Sequence, residues 1–217
     1  MLKKILLIPS LLLVNHFAHA QTSDYQAVMK TAVSVVDTCE TKSNFLLMSE
    51  KFGHFASVKK NDWLPYYYLA FCYTHLSMMY KSVDSIIDYT DRADRALSIA
   101  DSISPKNSEI YCLKSLNTIA KINVDYVNRG LDYSASANKL LDQAEQYNAV
   151  NPRVFYLRGR YLYSRPEQFG GGKAPALPFF KKAAELYATD SNKDTLNPHW
   201  GSRLADRLLN QCIAYSK

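Results

Sequence analysis

Three groups of residues in this 217-residue chain have types and spacings that invite a chemical reading. The run Gly170-Gly171-Gly172-Lys173 resembles at first a phosphate cradle, in which glycine amides and a lysine ammonium surround an anion. A P-loop also needs an earlier glycine and a hydroxyl after the lysine, and Glu167 and Ala174 stand at those places. The run follows a helical rather than a strand-like pattern, so we expect a turn between two helices, with Pro175 or Pro178 in the first turn of the second. Cys72 and His75 share one face of a helix and could together hold a metal. A closed zinc site takes four ligands, and no second pair stands at matching spacing, so a packed histidine is expected and no metal. Asp84, Asp88 and Asp91 recur as on a solvated helix face. Neither a G-x-S-x-G elbow nor an H-E-x-x-H helix occurs. The residues thus supply no ground for an enzyme, and no cofactor is expected.

The elements that would carry these residues begin after a processing segment. Residues 1–20 combine Lys3 and Lys4, an apolar core from Ile5 to Val14, and Ala18-His19-Ala20 as a small-x-small cleavage site. This is the pattern of a secretory signal cut before Gln21. Its core is about half the 20 apolar residues a membrane-spanning helix needs, so no transmembrane segment is expected in the mature chain. A secreted protein is implied, periplasmic in a Gram-negative source. Of 26 basic residues, 24 remain after cleavage against 20 acidic ones. An excess this mild, interspersed with acids, is not the clustered basic face of a nucleic-acid binder. Cys39, Cys72, Cys112 and Cys212 are far apart and lack CxxC spacing, which leaves buried thiols or, in an exported chain, disulfides.

Spacing organises the rest. An aromatic followed four residues later by a small residue occurs at Tyr66/Ala70, Tyr111/Ser115 and Phe155/Gly159, at intervals of 45 and 44. One helical turn apart, such a pair lets the ring pack on a partner helix while the small residue admits that helix closely. A second stripe reads Ala93, Leu97, Ala100, Ile103; then Ala137, Leu141, Ala144, Tyr147; then Ala176, Phe180, Ala183, Leu186. Its offsets of 4, 7 and 10 keep the four side chains on one helix face. Pro105, Pro152 and Pro198 punctuate the series, each shortly after a stripe. The order helix, helix, stop repeats, and no segment alternates with a period of two; even Tyr66–Tyr73, strand-like by propensity, falls in helical register.

Ala93, Leu97, Ala100 and Pro105 resemble the second helix and terminal proline of the tetratricopeptide repeat, and Phe155 with Gly159 resembles its first-helix aromatic and glycine. The resemblance spans about residues 62–187 and implies an all-α fold, a right-handed array of helical hairpins with about nine helices. The interval of about 44 exceeds the family's 34, so helices or turns must be longer; the extra residues are assigned to turns at Met79–Thr90 and Asp125–Ser134. The chain divides into a signal peptide (1–20), a divergent helix pair (21–61) whose stripes are Tyr25, Val28, Met29, Ala32, Val35 and Val36 and then Phe45, Met48, Phe52, Phe55 and Val58, tetratricopeptide-like repeats (62–190) and a capping helix (191–217) bearing Trp200, Leu204, Leu208 and Cys212. Carried over, the family's concave groove would be lined by Leu64, Tyr67, Phe71, Thr74 and His75, by Glu109, Cys112, Leu116, Ile119 and Ala120, and by Arg153, Tyr156, Arg160, Tyr163 and Ser164. Of these, Tyr67, Phe71, His75, Arg153, Tyr156, Arg160 and Tyr163 suit a protein or peptide partner, rings supplying area and guanidinium groups taking carboxylates or carbonyls. The implied function is an exported scaffold or adaptor. The alternative is a periplasmic small-molecule-binding component that accompanies a solute transporter.

Overall fold

A computed structural model describes residues 25–36, 38–190 and 196–215, so the segment expected to be a secretory signal lies outside the described residues. The fold is all-α. Among the described residues there are nine α-helices: α1 (residues 25–36), α2 (Lys42–Val58), α3 (Trp63–Met79), α4 (Val83–Ile103), α5 (Ser108–Ala120), α6 (Tyr126–Tyr147), α7 (Pro152–Ser164), α8 (Lys173–Thr189) and α9 (Ser202–Tyr215). Short 3₁₀ turns at Lys121–Val124 and Glu167–Phe169 lead into α6 and α8. No helix among the described residues is long and apolar enough to cross a membrane.

The helix starts are written in the sequence. Asp62, Asn107 and Asn151 cap α3, α5 and α7, their side chains accepting hydrogen bonds from the amides of Leu64, Glu109 and Arg153. These caps recur at the 45- and 44-residue interval of the aromatic motif. Each satisfies one of the amides a helix leaves open at its first turn, and Pro152 sits in the first turn of α7, where its missing N–H does no harm.

Close packing follows the small residues. The helices pack most extensively as α3 with α4, α5 with α6 and α7 with α8, while α2 covers α3 and α9 covers α8. Ala70, Ala93, Ala100, Ala144, Ala176 and Ala183 are fully buried. In the second pair the Ser115 hydroxyl donates to the Ala137 carbonyl at 2.9 Å. In the third, a Cβ placed on Gly159 would stand 2.8 Å from the Phe180 ring. Both contacts join an aromatic-plus-small motif on the first helix to the alanine stripe on the second. Polar clasps connect neighbouring pairs: Asn117 on α5 accepts from Thr74 on α3 and donates to the Thr90 carbonyl and the Asp94 carboxylate on α4. One repeat on, Asn151 donates to Ser108 and Glu109 on α5, and Ser108 donates to the Ala144 carbonyl on α6.

The structure corrects three expectations. The residues that lengthen the repeat are mostly helical, not turns: of Met79–Thr90 only 80–82 form the connection, and Asp125–Ser134 holds the cap and first two turns of α6. In α1 the core takes Met29, Ala32, Val33 and Val36, while Val28 and Val35 face outward. Trp200 precedes α9 rather than belonging to it, and is separated from that helix by Gly201 at φ +104°.

Gly159 offers a direct check on the small-residue contact. Replacing an interior helix glycine with alanine normally gains about 1 kcal/mol, but overpacking against a buried ring costs about 1–3 kcal/mol. Gly159→Ala is expected to lower the urea-unfolding free energy by about 1 kcal/mol. In a Phe180→Leu background, with the ring gone, the same change is expected to be neutral or stabilising.

Candidate functional site

The residues assigned to a partner-binding groove do come together, but most are already covered by the chain itself. Tyr67, Phe71, Arg153 and Tyr156 are buried. What covers them is the segment ahead of α9. The Trp200 ring packs against Phe71 and Tyr156, with centroid separations of 5.4 and 6.2 Å, and its indole N–H donates to the Tyr67 hydroxyl at 2.8 Å. The carbonyls of Leu196 and Trp200 accept from the hydroxyls of Tyr68 and Tyr187, both at 3.0 Å. Gly201 is required at this bend, because a Cβ there would lie 2.4 Å from the Tyr187 hydroxyl and its φ is positive. The face read as a peptide groove is thus an internal joint.

Arg153 holds that joint. Its guanidinium is fully buried and binds Glu109 on α5 through Nε at 2.5 Å and Nη2 at 2.9 Å. Nη2 also donates to the Pro198 carbonyl at 2.5 Å, and the Asp190 carboxylate lies 3.7 Å away. The surrounding phenols of Tyr67 and Tyr187 are pushed up by burial, so they remain neutral donors.

His75, a groove position that the sequence also pairs with Cys72, stacks on Phe45 at 4.9 Å, and its Nδ1 lies 2.9 Å from the Phe71 carbonyl, which makes that nitrogen the protonated donor. Burial lowers its pKa to about 4; the Phe71 hydrogen bond opposes the shift and the Arg160 charge adds to it. Burial pushes the Cys72 and Cys112 thiols well up, away from thiolate chemistry. Among the described residues no three His, Cys, Asp or Glu side chains are grouped to hold a metal. The glycine run is a folded-back turn. The amides of Gly171 and Gly172 bond to the carbonyls of Pro166 and Leu162, and a Cβ on Gly171 would collide with the Arg165 carbonyl. Those amides are therefore turned to the chain rather than to an anion.

An open site lies elsewhere. A cavity of about 660 Å³ is bounded by α5, the Lys121–Val124 turn, α6 and α7, with Met78 of α3 and Phe169 at its ends. Its α7 wall is Leu157, Arg160, Tyr161, Ser164 and Arg165, whose offsets of 0, 3, 4, 7 and 8 mark one helix face. Its α6 wall runs from Gly130 through Ser134 and Ala137 to Leu141, small side chains that leave the space open. The α5 wall includes Leu116, Ile119 and Ala120. Leu131 and Phe169, at 81% and 56% exposure, are apolar side chains left at the mouth.

Of the seven residues assigned to a partner, Arg160 lines this cavity and Tyr163 lines a shallower depression beside it with Lys173 and Tyr215. Leu116, Ile119, Ala120 and Ser164, also placed on the groove by resemblance, line the cavity as well. Sequence reasoning missed Met78, Leu131, Leu157, Tyr161, Arg165 and Phe169. The five-residue stripe on α7 was available as a signal; the chosen face overlapped it only at Arg160 and Ser164.

Two measurements check these assignments. Arg153→Met leaves Glu109 buried beside no cation and is expected to lower stability by about 3–5 kcal/mol in chemical denaturation. Adding Glu109→Leu to it is expected to restore much of the loss. Because the folded-state pKa of His75 lies below its unfolded value of 6.5, the unfolded chain binds the extra proton between pH 6.5 and about 4. Stability should therefore fall as the pH is lowered through that window, and fall less steeply in His75→Gln.

No family model matches the chain, and no curated protein matches it. A solved structure does: the HusA haemophore from Porphyromonas gingivalis is 31% identical, with 88% of this chain and 94% of that chain covered and a TM-score of 0.78.

Proposed function

The chain belongs to the family of the HusA haemophore, and on that footing we propose that it is a carrier of a flat, largely apolar tetrapyrrole such as haem. The cargo would lie in the cavity between α5, α6 and α7. The observation that carries this reading is the cavity itself: about 660 Å³, within the roughly 300–1,000 Å³ usual for small-molecule sites, with apolar and small walls and a few polar groups along one helix. A peptide on the face of Tyr67, Phe71, Arg153 and Tyr156 is not retained, because that face is filled by the chain's own Trp200 segment.

The physical basis is burial. Covering about 300 Å² of apolar ligand surface releases about 7–8 kcal/mol. Fixing the ligand in place takes back several kcal/mol of that, so micromolar or tighter binding, about −8 kcal/mol, calls for polar contacts as well. The Tyr161 phenol and the Met78 thioether are side chains of types that ligate haem iron, and both line the cavity. We read the protein as a binder and not an enzyme. The three helix pairs support a tetratricopeptide-like description of the array, and residues 1–20, read as a secretory signal, support a role outside the cytoplasm.

Titrating the mature protein with haem, followed by absorbance, is expected to show saturable one-to-one binding in the micromolar range or tighter. Ser134→Trp, which fills the cavity from its α6 wall, should weaken binding by about tenfold or more, since it displaces ligand surface worth at least about 1.4 kcal/mol. Haem that never saturates the wild-type chain, or that binds the filled variant equally well, would remove the reading.

A further inference from the structure

We infer that Arg160 and Arg165 read a pair of carboxylates on one edge of the cargo, making the cavity selective for a planar diacid over its neutral ester. The inference rests on the cavity being the ligand site. It is drawn from how the charges of α7 are distributed. That helix and its C-terminal cap carry four arginines, and two are committed: Arg153 to Glu109 and Asp190, Arg158 to Asp142 and Glu145. Arg160 and Arg165 have no carboxylate partner within ion-pair distance among the described residues. Both are half-buried, and both line the cavity.

Among the described residues no aspartate, glutamate, lysine or histidine lines the cavity, so its two charges are both positive. Arg160 donates to the Tyr156 phenol one turn back on its own helix, and its contact across the cavity is a weak one, Nη2 to the Met78 sulfur at 3.9 Å. A thioether is a poor acceptor and does little to compensate a guanidinium withdrawn from water. The two arginines are five residues apart, about 7.5 Å along the helix axis, so a single carboxylate engages both only by drawing the two side chains together and cannot give each fork its own bidentate pair. Two carboxylates on one edge of a rigid ring can, each forming charge-assisted hydrogen bonds with one fork while the ring lies against Leu116, Leu141 and Leu157. A long-chain monoacid would satisfy one arginine and leave the other as it is.

The test compares haem with haem dimethyl ester, which keeps the ring and the iron and removes both negative charges. Affinities are measured for the mature wild-type protein, Arg160→Gln, Arg165→Gln and the double variant. The wild type should prefer the diacid by about tenfold or more, as expected for charge-assisted contacts in a partly dry site. Each single variant should lose part of that preference, and the double variant nearly all of it. Ester affinity should stay within about threefold of wild type throughout, a value that also reports an intact cavity. Equal wild-type affinity for diacid and ester, or an undiminished preference in the double variant, would overturn the inference while leaving a tetrapyrrole site in place. Failure of both porphyrins to bind the wild type would overturn the underlying reading and this inference with it.

Discussion

A guanidinium that has lost its water must be surrounded by acceptors, and the arrangement of this protein turns on how Arg153 meets that demand. Glu109 reaches it from α5, Asp190 from the end of α8, and the Pro198 carbonyl from the segment leading to α9. Each acceptor belongs to a different part of the chain, so satisfying one charge fixes three elements about α7. Trp200 is delivered into the space between α3 and α7 as a result, and the face that a helical array would otherwise leave concave is closed. Burying such a pair is seldom favourable by itself. Its effect is positional: the acceptors converge on one charge and, together with the ring contacts and hydrogen bonds of Trp200 itself, hold that segment in place.

The cavity exists because the adjoining side of α7 is treated differently. There, α6 presents glycine, serine and alanine at heights where a leucine would fill the gap, and α7 presents arginines without carboxylates opposite them. The alanine stripe has two roles along the same helix. Near Leu141 and Ala144 it lets α5 and α6 close up in the core, whereas toward the N-terminal end of α6 it leaves room.

The fold was readable because the signals that specify it are local and repeated. The aromatic-plus-small pairs and the alanine stripes are contacts in the structure, as Ser115 on Ala137 and Gly159 under Phe180 demonstrate. The site was readable only in part, for physical reasons. Arg160 was found because the register carried over from the tetratricopeptide repeat places it on the groove, but nothing in the spacing distinguishes it from Arg153, whose charge is spent on an internal joint. That difference depends on Glu109, 44 residues away, and on a carbonyl ahead of α9. Leu131 and Phe169 were missed because exposed apolar residues carry no periodic signature. The additional turns of α6 were misassigned to a loop because an insertion that preserves register looks the same in sequence whether it extends a helix or a connection.

Those additional turns have a corollary for how the protein can change. Residues 128–134 of α6 form part of a wall of the cavity yet, Gly130 apart, bury little of their own surface, with Leu131 largely solvated. Substitutions there alter the chamber without disturbing the alanine contacts or the buried arginine, so capacity and selectivity can drift independently of foldability. A chain built this way can reshape the lining of its chamber while its architecture stays the same.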